Sequence, residues 1–580
     1  MPGQQEVSSS TSADLTDLPY DVFLLIISYL SPQDSVLCRT ISRAWNAAFT
    51  REDVLRDLMR WHFPRCREMR ATAQSYAGVE MGAARPPWSR IFARVARRYF
   101  HLRSAKPRMV EKIDVVQEEA RQEGSYLGVE PWNRWLRWNG NSAVFQYRDP
   151  TWCLEDGLLV YMEGVSGRCL AYDIETRRRM PVPFDLADKM VRRVRLAGGV
   201  LVLEWCDREP YHQLNDRETV HRHFATAFDV RRLATVPGAA AGACGFGEQD
   251  PWRITFRSEW KIHFLGLPPN RLDRFFSAHT ARHYALYLWQ PNRSPWGEDD
   301  PLEQLTIWDI SSPAAYRPSL DPRGAKKPEG LLEGKEGPVV VNRFTWRDLD
   351  VLGLRQRNTP SLREILLDDA NVYVHEEEHR WLAGQHSSLS PPRHHHVRCT
   401  GIPFHGMGPR WFDECCADGD VHMSFCPRAG SVARLRGKGS NLPESPDGLV
   451  PTEVASLKNV KAASPDGDWP GWAPCWRHEE FPYLTVSDAV DVAAGVRIVA
   501  RQCFMMEALS AFVLPKLSVE ETRLGHRRRP GRDNAEEEDI EEVRFADEMW
   551  TQLMGKGKIA GDERWVVGED EAGKVTVVRF

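Results

Sequence analysis

The chain has 580 residues, 76 of them Lys or Arg and 81 Asp or Glu, and its formal net charge is −5. This length allows several domains, and the acidic balance gives no general attraction to nucleic acids or anionic membranes, so neither is expected as a partner. The longest apolar run, residues 22–30, is too short to cross a bilayer. Residues 1–14 lack a secretory signal, and twelve irregularly spaced cysteines favour reduced thiols in the cytoplasm, the nucleus or both.

A polar segment, residues 1–14, is predicted to be disordered, and a helical pattern begins directly after it. Pro19 fits the first helical position, because a proline there loses no internal hydrogen bond. Asp17 and Asp21 place negative charge near the helix N-terminus, where the helix dipole favours it. The apolar side chains recur at helical spacing and form one wide stripe of Val22, Phe23, Ile26, Ile27 and Leu30.

Ser31-Pro32 ends the first helix. A second helical pattern follows, and Asp34 can cap this second helix. A third pattern runs over residues 51–62. So short a unit lies below the size at which a lone core is usually stable, so its apolar surface must pack on the rest of the chain or on another protein. The second pattern consists of Val36, Leu37, Ile41, Trp45 and Phe49.

Residues 15–60 contain short sequence elements that are more specific than a helical core requires. A plain bundle explains the apolar spacing but not the Leu-Pro, Ser-Pro and Arg-x-Trp elements together. The segment resembles an F-box, although Ser35 and Thr40 stand where that family usually has leucine, and Cys38 where it often has another aliphatic residue. The resemblance rests on Leu15, Leu18-Pro19, Val22, Ile26-Ile27, Tyr29-Leu30, Ser31-Pro32, Asp34, Ile41, Arg43 and Trp45.

The F-box resemblance implies docking onto the Skp-type adaptor of a cullin-based ubiquitin ligase. We expect this segment to be a unit separate from the rest of the chain, so that changes in it leave the remainder unaffected. The departures at Ser35, Cys38 and Thr40 weaken the second half of its apolar surface. The residues assigned to adaptor binding are Leu15, Leu18, Pro19, Val22, Phe23, Ile26, Ile27, Leu30, Pro32, Val36, Ile41 and Trp45.

Residues 61–109 are predicted to be a helical linker, with one strongly amphipathic helix after Pro86-Pro87. Its apolar face holds Trp88, Ile91, Phe92, Val95, Tyr99 and Leu102, and the opposite face holds Arg90, Arg94, Arg97 and Arg98. The interleaved arginines favour a solvated face, and a nuclear-import or RNA-binding stripe is the alternative. The pattern resembles the linker helix between an F-box and its C-terminal domain.

Residues 110–580 are predicted to form short strands in which apolar and polar residues alternate. The whole chain contains 21 tryptophans and 39 prolines, which favours short strands joined by turns. Three strands end on an aromatic-Asp-aliphatic unit: Tyr172-Asp173-Ile174, Phe228-Asp229-Val230 and Trp308-Asp309-Ile310. This sequence pattern resembles a degenerate β-propeller of the WD-repeat or Kelch-like type, which closes through its last strand. A β-sandwich is the alternative fold. The fold class is therefore α+β and multidomain, a three-helix F-box and helical linker followed by an all-β domain, as in fungal-type F-box proteins.

Three stretches rich in proline, glycine or charge are predicted to be mobile surface insertions rather than sites, near residues 311–338, 427–474 and 519–542. Arg527 to Arg529 lie in the last of these stretches. They could form a nuclear-import signal, but we predict that they belong to a surface loop.

The segment His375-Glu376-Glu377-Glu378-His379 matches the zinc-protease pattern H-E-x-x-H, which needs both histidines on one helical face. Residues 371–374 alternate like a strand, and Leu382 and Gln385 stand where a metzincin has glycine and histidine. We therefore predict a charged β-turn, no metal and no cofactor. A second group of histidines and cysteines is a weaker candidate for a metal site, because it contains no paired Cys-x-x-Cys spacing, and we predict that it is structural. Its members are His394 to His396, His405, Cys415, Cys416, His422 and Cys426.

These observations favour a non-catalytic substrate receptor of an SCF-type ubiquitin ligase, whose partners are the adaptor, through it a cullin, and a protein substrate of unknown identity. Two alternatives stay open: an F-box scaffold or binding module without ligase output, and a zinc hydrolase built on the HEEEH segment. Substrate-binding residues are not predicted, because a fold does not determine them.

Overall fold

The computed structural model describes residues 15–70, 88–115, 151–164, 166–213, 219–233, 251–266, 274–290, 300–334, 336–357, 361–381, 393–406, 411–418, 425–426, 473–474, 483–503, 515–523, 539–555 and 557–580. The N-terminal unit is helical: a 3₁₀ turn at Leu15–Asp17, then α1 (Tyr20–Ile27), α2 (Pro32–Cys38), α3 (Arg43–Phe49) and α4 (Glu52–His62). A linker helix, Trp88–Arg103, leads into the first strand of the β domain.

The helix ends differ from the predictions at the caps. Pro19 is the N-cap of α1 rather than its first residue. Ser31, not Asp34, caps α2, because its Oγ accepts a hydrogen bond from the Asp34 amide at 3.1 Å. The second predicted helix is two helices, since the Ser42 hydroxyl accepts from the Trp45 amide and starts α3 anew.

The β domain is a six-bladed propeller of antiparallel sheets. Blade 1 contains β2 (Trp152–Glu155), β3 (Leu158–Met162), β4 (Cys169–Asp173) and β5 (Arg178–Pro181). Blade 2 contains β6 (Lys189–Ala197), β7 (Val200–Asp207), β9 (Thr219–Arg232) and β10 (Trp252–Gly266), with β8 (His212–Gln213) beside β9. Blade 3 contains β11 (Arg274–His279), β12 (His283–Gln290), β13 (Leu302–Asp309) and β14 (Val339–Thr345).

Blade 4 contains β15 (Leu362–Leu367), β16 (Asn371–Trp381), β17 (Arg393–Pro403) and β18 (Trp411–Asp418). Blade 5 contains β21 (Tyr483–Asp491), β22 (Val496–Cys503), β23 (Pro515–Arg523) and β24 (Asp539–Arg544). Blade 6 contains β25 (Ile559–Asp562), β26 (Trp565–Glu569), β27 (Lys574–Arg579) and β1 (Met109–Asp114). The other elements in the described part of the chain are the pair β19 (Phe425–Cys426) and β20 (Ala473–Pro474), and short helices occur at Glu329–Leu332, Trp346–Val351 and Glu548–Leu553.

The sandwich alternative is wrong, because the sheets are arranged around an axis rather than as two stacked layers. The first strands of neighbouring blades contact each other, as β2 does with β6 and with β25. The ring closes where β1 pairs with the last strand, β27, as predicted. Glu111 of β1 also links blade 6 to blade 1. It accepts hydrogen bonds from Tyr172 Oη of blade 1 at 2.7 Å and from Arg579 Nη2 of blade 6 at 3.1 Å.

The aromatic-Asp units mark the third strands of blades 1, 2 and 3, namely β4, β9 and β13. Asp173 shows why the unit recurs: its carboxylate accepts the amides of Glu175 and Thr176, which shapes the turn, and the Trp252 indole N–H of the next blade at 2.9 Å. The third strands of blades 4, 5 and 6 lack the unit, so the sequence pattern reveals only half of the ring.

The predicted insertions are corrected in part. Residues 311–338 connect β13 to β14 and lie against blade 2, where the Arg257 carbonyl accepts the Ala314 amide at 2.9 Å. Residues 519–523 and 539–542 belong to strands β23 and β24, and the stretch between them lies outside the described residues. Except for β20, the insertion near 427–474 lies outside the described residues.

Candidate functional site

Six large apolar side chains of the N-terminal helices are between 37% and 69% exposed. Four of them lie at i, i+3, i+4 and i+7 along α1 and the turn after it, so they share one side of the helix. The other two extend the apolar surface to the end of α2 and the turn before α3. We call this set the apolar face; its members are Val22, Leu25, Ile26, Tyr29, Leu37 and Ile41.

The structure divides the predicted adaptor-binding residues into two groups. Phe23 and Ile27 are buried, and the Phe23 ring meets Phe49 edge-on at 5.4 Å, so these two support the face from inside rather than contact a partner. Pro19, Val22, Ile26 and Ile41 are exposed. The remaining residues are half-buried: Leu15, Leu18, Leu30, Pro32, Val36 and Trp45.

The predicted adaptor-binding set omits Leu25, Tyr29 and Leu37, the three most exposed members of the apolar face. Tyr29 belongs to the F-box resemblance and Leu37 to the second helical pattern, but neither is assigned to adaptor binding. Leu25 and Tyr29 do lie at helical spacing from Val22, which is a usable signal. However, α1 is apolar nearly all round, and its sequence alone does not distinguish the inward side from the outward one.

The departures from the F-box pattern leave most of this surface intact. Ser35 is buried and its hydroxyl donates to the Ser31 carbonyl at 3.0 Å. Cys38 is half-buried against the core, and burial followed by the nearby Asp34 raises the pKa of its thiol. Only Thr40 is exposed, with its hydroxyl bonded to the Leu37 carbonyl.

The expectation of a separate N-terminal unit is wrong, because one apolar core runs from the helices into the propeller. Phe49 of α3 and Phe92 of the linker helix belong to the same cluster as Ile498 of blade 5 and Val578 of blade 6. A short helical unit without a core of its own is thus stabilised by the β domain.

A buried charged cluster reinforces this junction. Glu563, in the turn between β25 and β26, accepts hydrogen bonds from the Arg67 amide at 2.8 Å, Arg98 Nη2 at 3.2 Å and the Tyr99 hydroxyl. Arg98 also binds Glu68 through both terminal nitrogens, at 3.0 and 2.8 Å. The placement of Arg98 on a solvated face is therefore wrong: its charge is compensated inside the junction.

The two carboxylates of this cluster differ in acidity. Burial alone would raise the pKa of Glu68, but its hydrogen bonds and ion pair with Arg98 outweigh burial and lower that pKa to about 2. Burial raises the pKa of Glu563, because Arg98 and Tyr99 oppose it only in part.

Lowering the pH is expected to weaken the junction through Glu68. Its folded pKa of about 2 lies below the ordinary 4.5, so its contribution is present above pH 4.5 and is lost as the pH falls towards 2, an effect of about 3 kcal/mol. The raised pKa of Glu563 acts in the opposite direction and offsets part of this loss. Between pH 5 and pH 3 roughly 2 kcal/mol of this contribution is lost, which urea unfolding at the two pH values measures. Glu68→Gln should reduce the loss, and the surface change Glu52→Gln should not. An equal pH dependence in wild type and Glu68→Gln would contradict it.

The helical unit is attached to one face of the propeller. Arg67 pairs with Asp156 in the β2–β3 turn, Arg70 with Asp491 at the end of β21, and Glu563 lies in the β25–β26 turn. All three positions follow the first strand of a blade. Because antiparallel strands alternate in direction, the turns after the second strands, such as residues 570–573, open on the opposite face.

The HEEEH segment lies inside strand β16, which pairs with β15 and β17. The predicted β-turn is therefore wrong, and the helical zinc-protease geometry is absent, since residues four apart in a strand are about 13 Å apart. His375 is buried with Nε2 at 3.4 Å from the Cys399 Sγ. Of the second group, Cys415 and Cys416 lie on β18, and His422 is outside the described residues. Where the structure describes the chain, it contains no group of three or more His, Cys, Asp or Glu arranged to hold a metal.

These features define the chain as a six-bladed propeller with a helical unit that leaves an apolar face uncovered. Residues 15–59 match the F-box-like family, which confirms the predicted F-box. No curated protein matches the chain. No helix in the described ranges has the length and apolarity that a membrane crossing needs.

Proposed function

We propose that this chain is a substrate receptor of an SCF-type ubiquitin ligase. The observation that carries the proposal is the apolar face, because it lies within the F-box-like segment and remains exposed after the rest of the helical unit has packed on the propeller. A set of exposed apolar side chains on one short unit is typical of a protein-binding surface. F-box domains bind Skp-type adaptors, which then connect them to a cullin.

In this proposal the chain performs no bond chemistry itself. The helical unit binds the adaptor, and the propeller binds a protein substrate and holds it near the recruited ubiquitin-conjugating enzyme. The shared core and the buried Glu563 cluster support a role in which the two parts keep one orientation. The face opposite the helical unit is the better candidate for substrate binding, since the adaptor side is occupied.

The alternative is an F-box scaffold that binds the adaptor without ligase output. The two differ in whether a cullin accompanies the adaptor when the full chain is purified, and in whether substrate receives ubiquitin.

Two charges placed on the apolar face should abolish most adaptor binding. We expect Leu25→Asp with Leu37→Asp to weaken binding roughly ten- to a thousandfold, because truncating one interface anchor typically costs about 1–4 kcal/mol. Both side chains are more than half exposed, so the melting temperature should stay within about 2 °C. Pull-down of adaptor and cullin, with a thermal melt of the same samples, measures both quantities.

A matched control is Leu320→Asp with Val351→Asp, two apolar residues on the propeller that are even more exposed than Leu25 and Leu37. The control should bind adaptor like wild type. If the variant of the apolar face also binds like wild type, the proposed receptor function fails. Adaptor without cullin in the wild-type sample would favour the scaffold.

A further inference from the structure

The outward side of the linker helix carries a second exposed surface, distinct from the apolar face. Arg90, Arg94, Arg97 and Phe100 lie at i, i+4, i+7 and i+10, so they form one line along the helix, and all four are exposed. We call this line the basic stripe. It is about 15 Å long, at 1.5 Å per residue.

The arginines of the stripe differ from the other arginines of the same helix. Arg98 binds Glu68 and Glu563, and Arg103 binds Glu521 through two nitrogens at 2.7 and 2.8 Å. In the described ranges, no carboxylate lies within ion-pair distance of Arg90 or Arg97. Arg94 reaches only Glu68, at 3.5 Å, and Arg98 already holds that carboxylate.

This arrangement is unfavourable for the helix by itself. Like charges at i, i+3 and i, i+4 repel, and here they follow one another along the stripe. Arg90 lies in the first turn, where the helix dipole disfavours positive charge, and that turn contains no acidic residue. Phe100 adds a large apolar side chain that is 45% exposed at the end of the stripe. Two arginines without an ion-pair partner in the described ranges, a third with a long ion pair and an exposed aromatic ring fit a binding site better than a solvated face.

We propose that the basic stripe binds an acidic segment of another protein, whose carboxylates face the three arginines and whose apolar side chain covers Phe100. The positive charge of the three arginines favours a partner segment with negative charge. Nucleic acid fits less well, because the chain as a whole is acidic at −5 and the stripe is one residue wide. Binding at the basic stripe is separate from the adaptor binding proposed for the apolar face.

The stripe begins close to the apolar face. Arg39, which directly follows α2, donates to the Ser89 carbonyl at 3.1 Å, one residue before Arg90. Leu37 of the apolar face is two residues from Arg39. The partner segment can therefore lie beside whatever covers the apolar face. The two surfaces nevertheless use different residues and can be tested apart.

The test uses the full chain and a labelled synthetic peptide of glutamate and leucine at helical spacing, with binding followed by fluorescence anisotropy. Changing Arg90, Arg94 and Arg97 to Glu should weaken peptide binding about tenfold or more, since each exposed pair contributes little but three act together. The matched control changes Arg323, Lys326 and Lys327 to Glu, three exposed cations on the connection between β13 and β14, and alters the net charge equally. Phe100→Ala should weaken binding a fewfold.

Four outcomes would overturn the proposal. Equal loss in the stripe variant and the control would mean that only net charge matters. Unchanged binding of the peptide by the stripe variant would exclude the stripe as its site. A single-stranded RNA that binds the stripe more tightly than the peptide would make it a nucleic-acid site. Concentration-dependent self-association that the stripe variant loses would assign the surface to a second copy of the chain. Adaptor pull-down on the same variants separates this result from the proposed function.

Discussion

Removal of residues 574–580 is expected to unfold the propeller. Strand β27 is internal to blade 6, since it pairs with β26 on one side and with β1 on the other. Val575, Val577 and Val578 are fully buried, and Phe580 is nearly so. Burying four such side chains contributes roughly 6–12 kcal/mol, which is comparable with the whole stability of a typical domain. The loss also leaves two unpaired strand edges, which favour aggregation.

Soluble yield, circular dichroism and a thermal melt measure this effect. A suitable control is Lys574→Ala, which removes only an exposed ion pair with Asp114 and should melt like wild type. A synthetic peptide of residues 574–580 added during refolding should restore some soluble protein by strand addition. A truncated chain that is soluble and melts cooperatively would show that the last strand is dispensable.

Arg98→Met is expected to destabilise the helical unit and the propeller together, by about 3–5 kcal/mol. The change leaves Glu563, whose side chain is 1% exposed, without its cationic partner. Breaking a buried pair on one side costs more than removing both charges, because the remaining carboxylate stays desolvated. The double variant Arg98→Met with Glu563→Gln should therefore recover part of the loss.

Urea unfolding followed by two probes tests the coupling: the helical signal comes mainly from the N-terminal unit, and tryptophan fluorescence comes mainly from the propeller. Arg94→Met is the matched control, since Arg94 contacts the same Glu68 from an exposed position and should cost about 0–1 kcal/mol. Separate transitions of the two probes in Arg98→Met would mean that the shared core does not couple the two parts.

Signals between near neighbours in the chain were readable from the sequence. The Leu-Pro and Ser-Pro elements and the helical spacing of Val22, Ile26 and Leu30 identified the F-box, because caps and stripes depend on residues within one or two helical turns. The Tyr172-Asp173-Ile174 unit similarly marked the end of a strand, because its carboxylate organises the adjacent turn. Where later blades lack that unit, the sequence offered no count of blades.

Contacts between distant residues were decided only by the tertiary structure. Arg97 and Arg98 are neighbours with identical side chains, yet one is exposed and the other is buried against Glu563, 465 positions away. The same holds for Leu25 and Ile27 on α1, of which only the second faces the shared core. The chain itself determines which residues can form a helix or strand, because those interactions are local. Which side of each element becomes the interior depends on partners that meet only when the ring has closed.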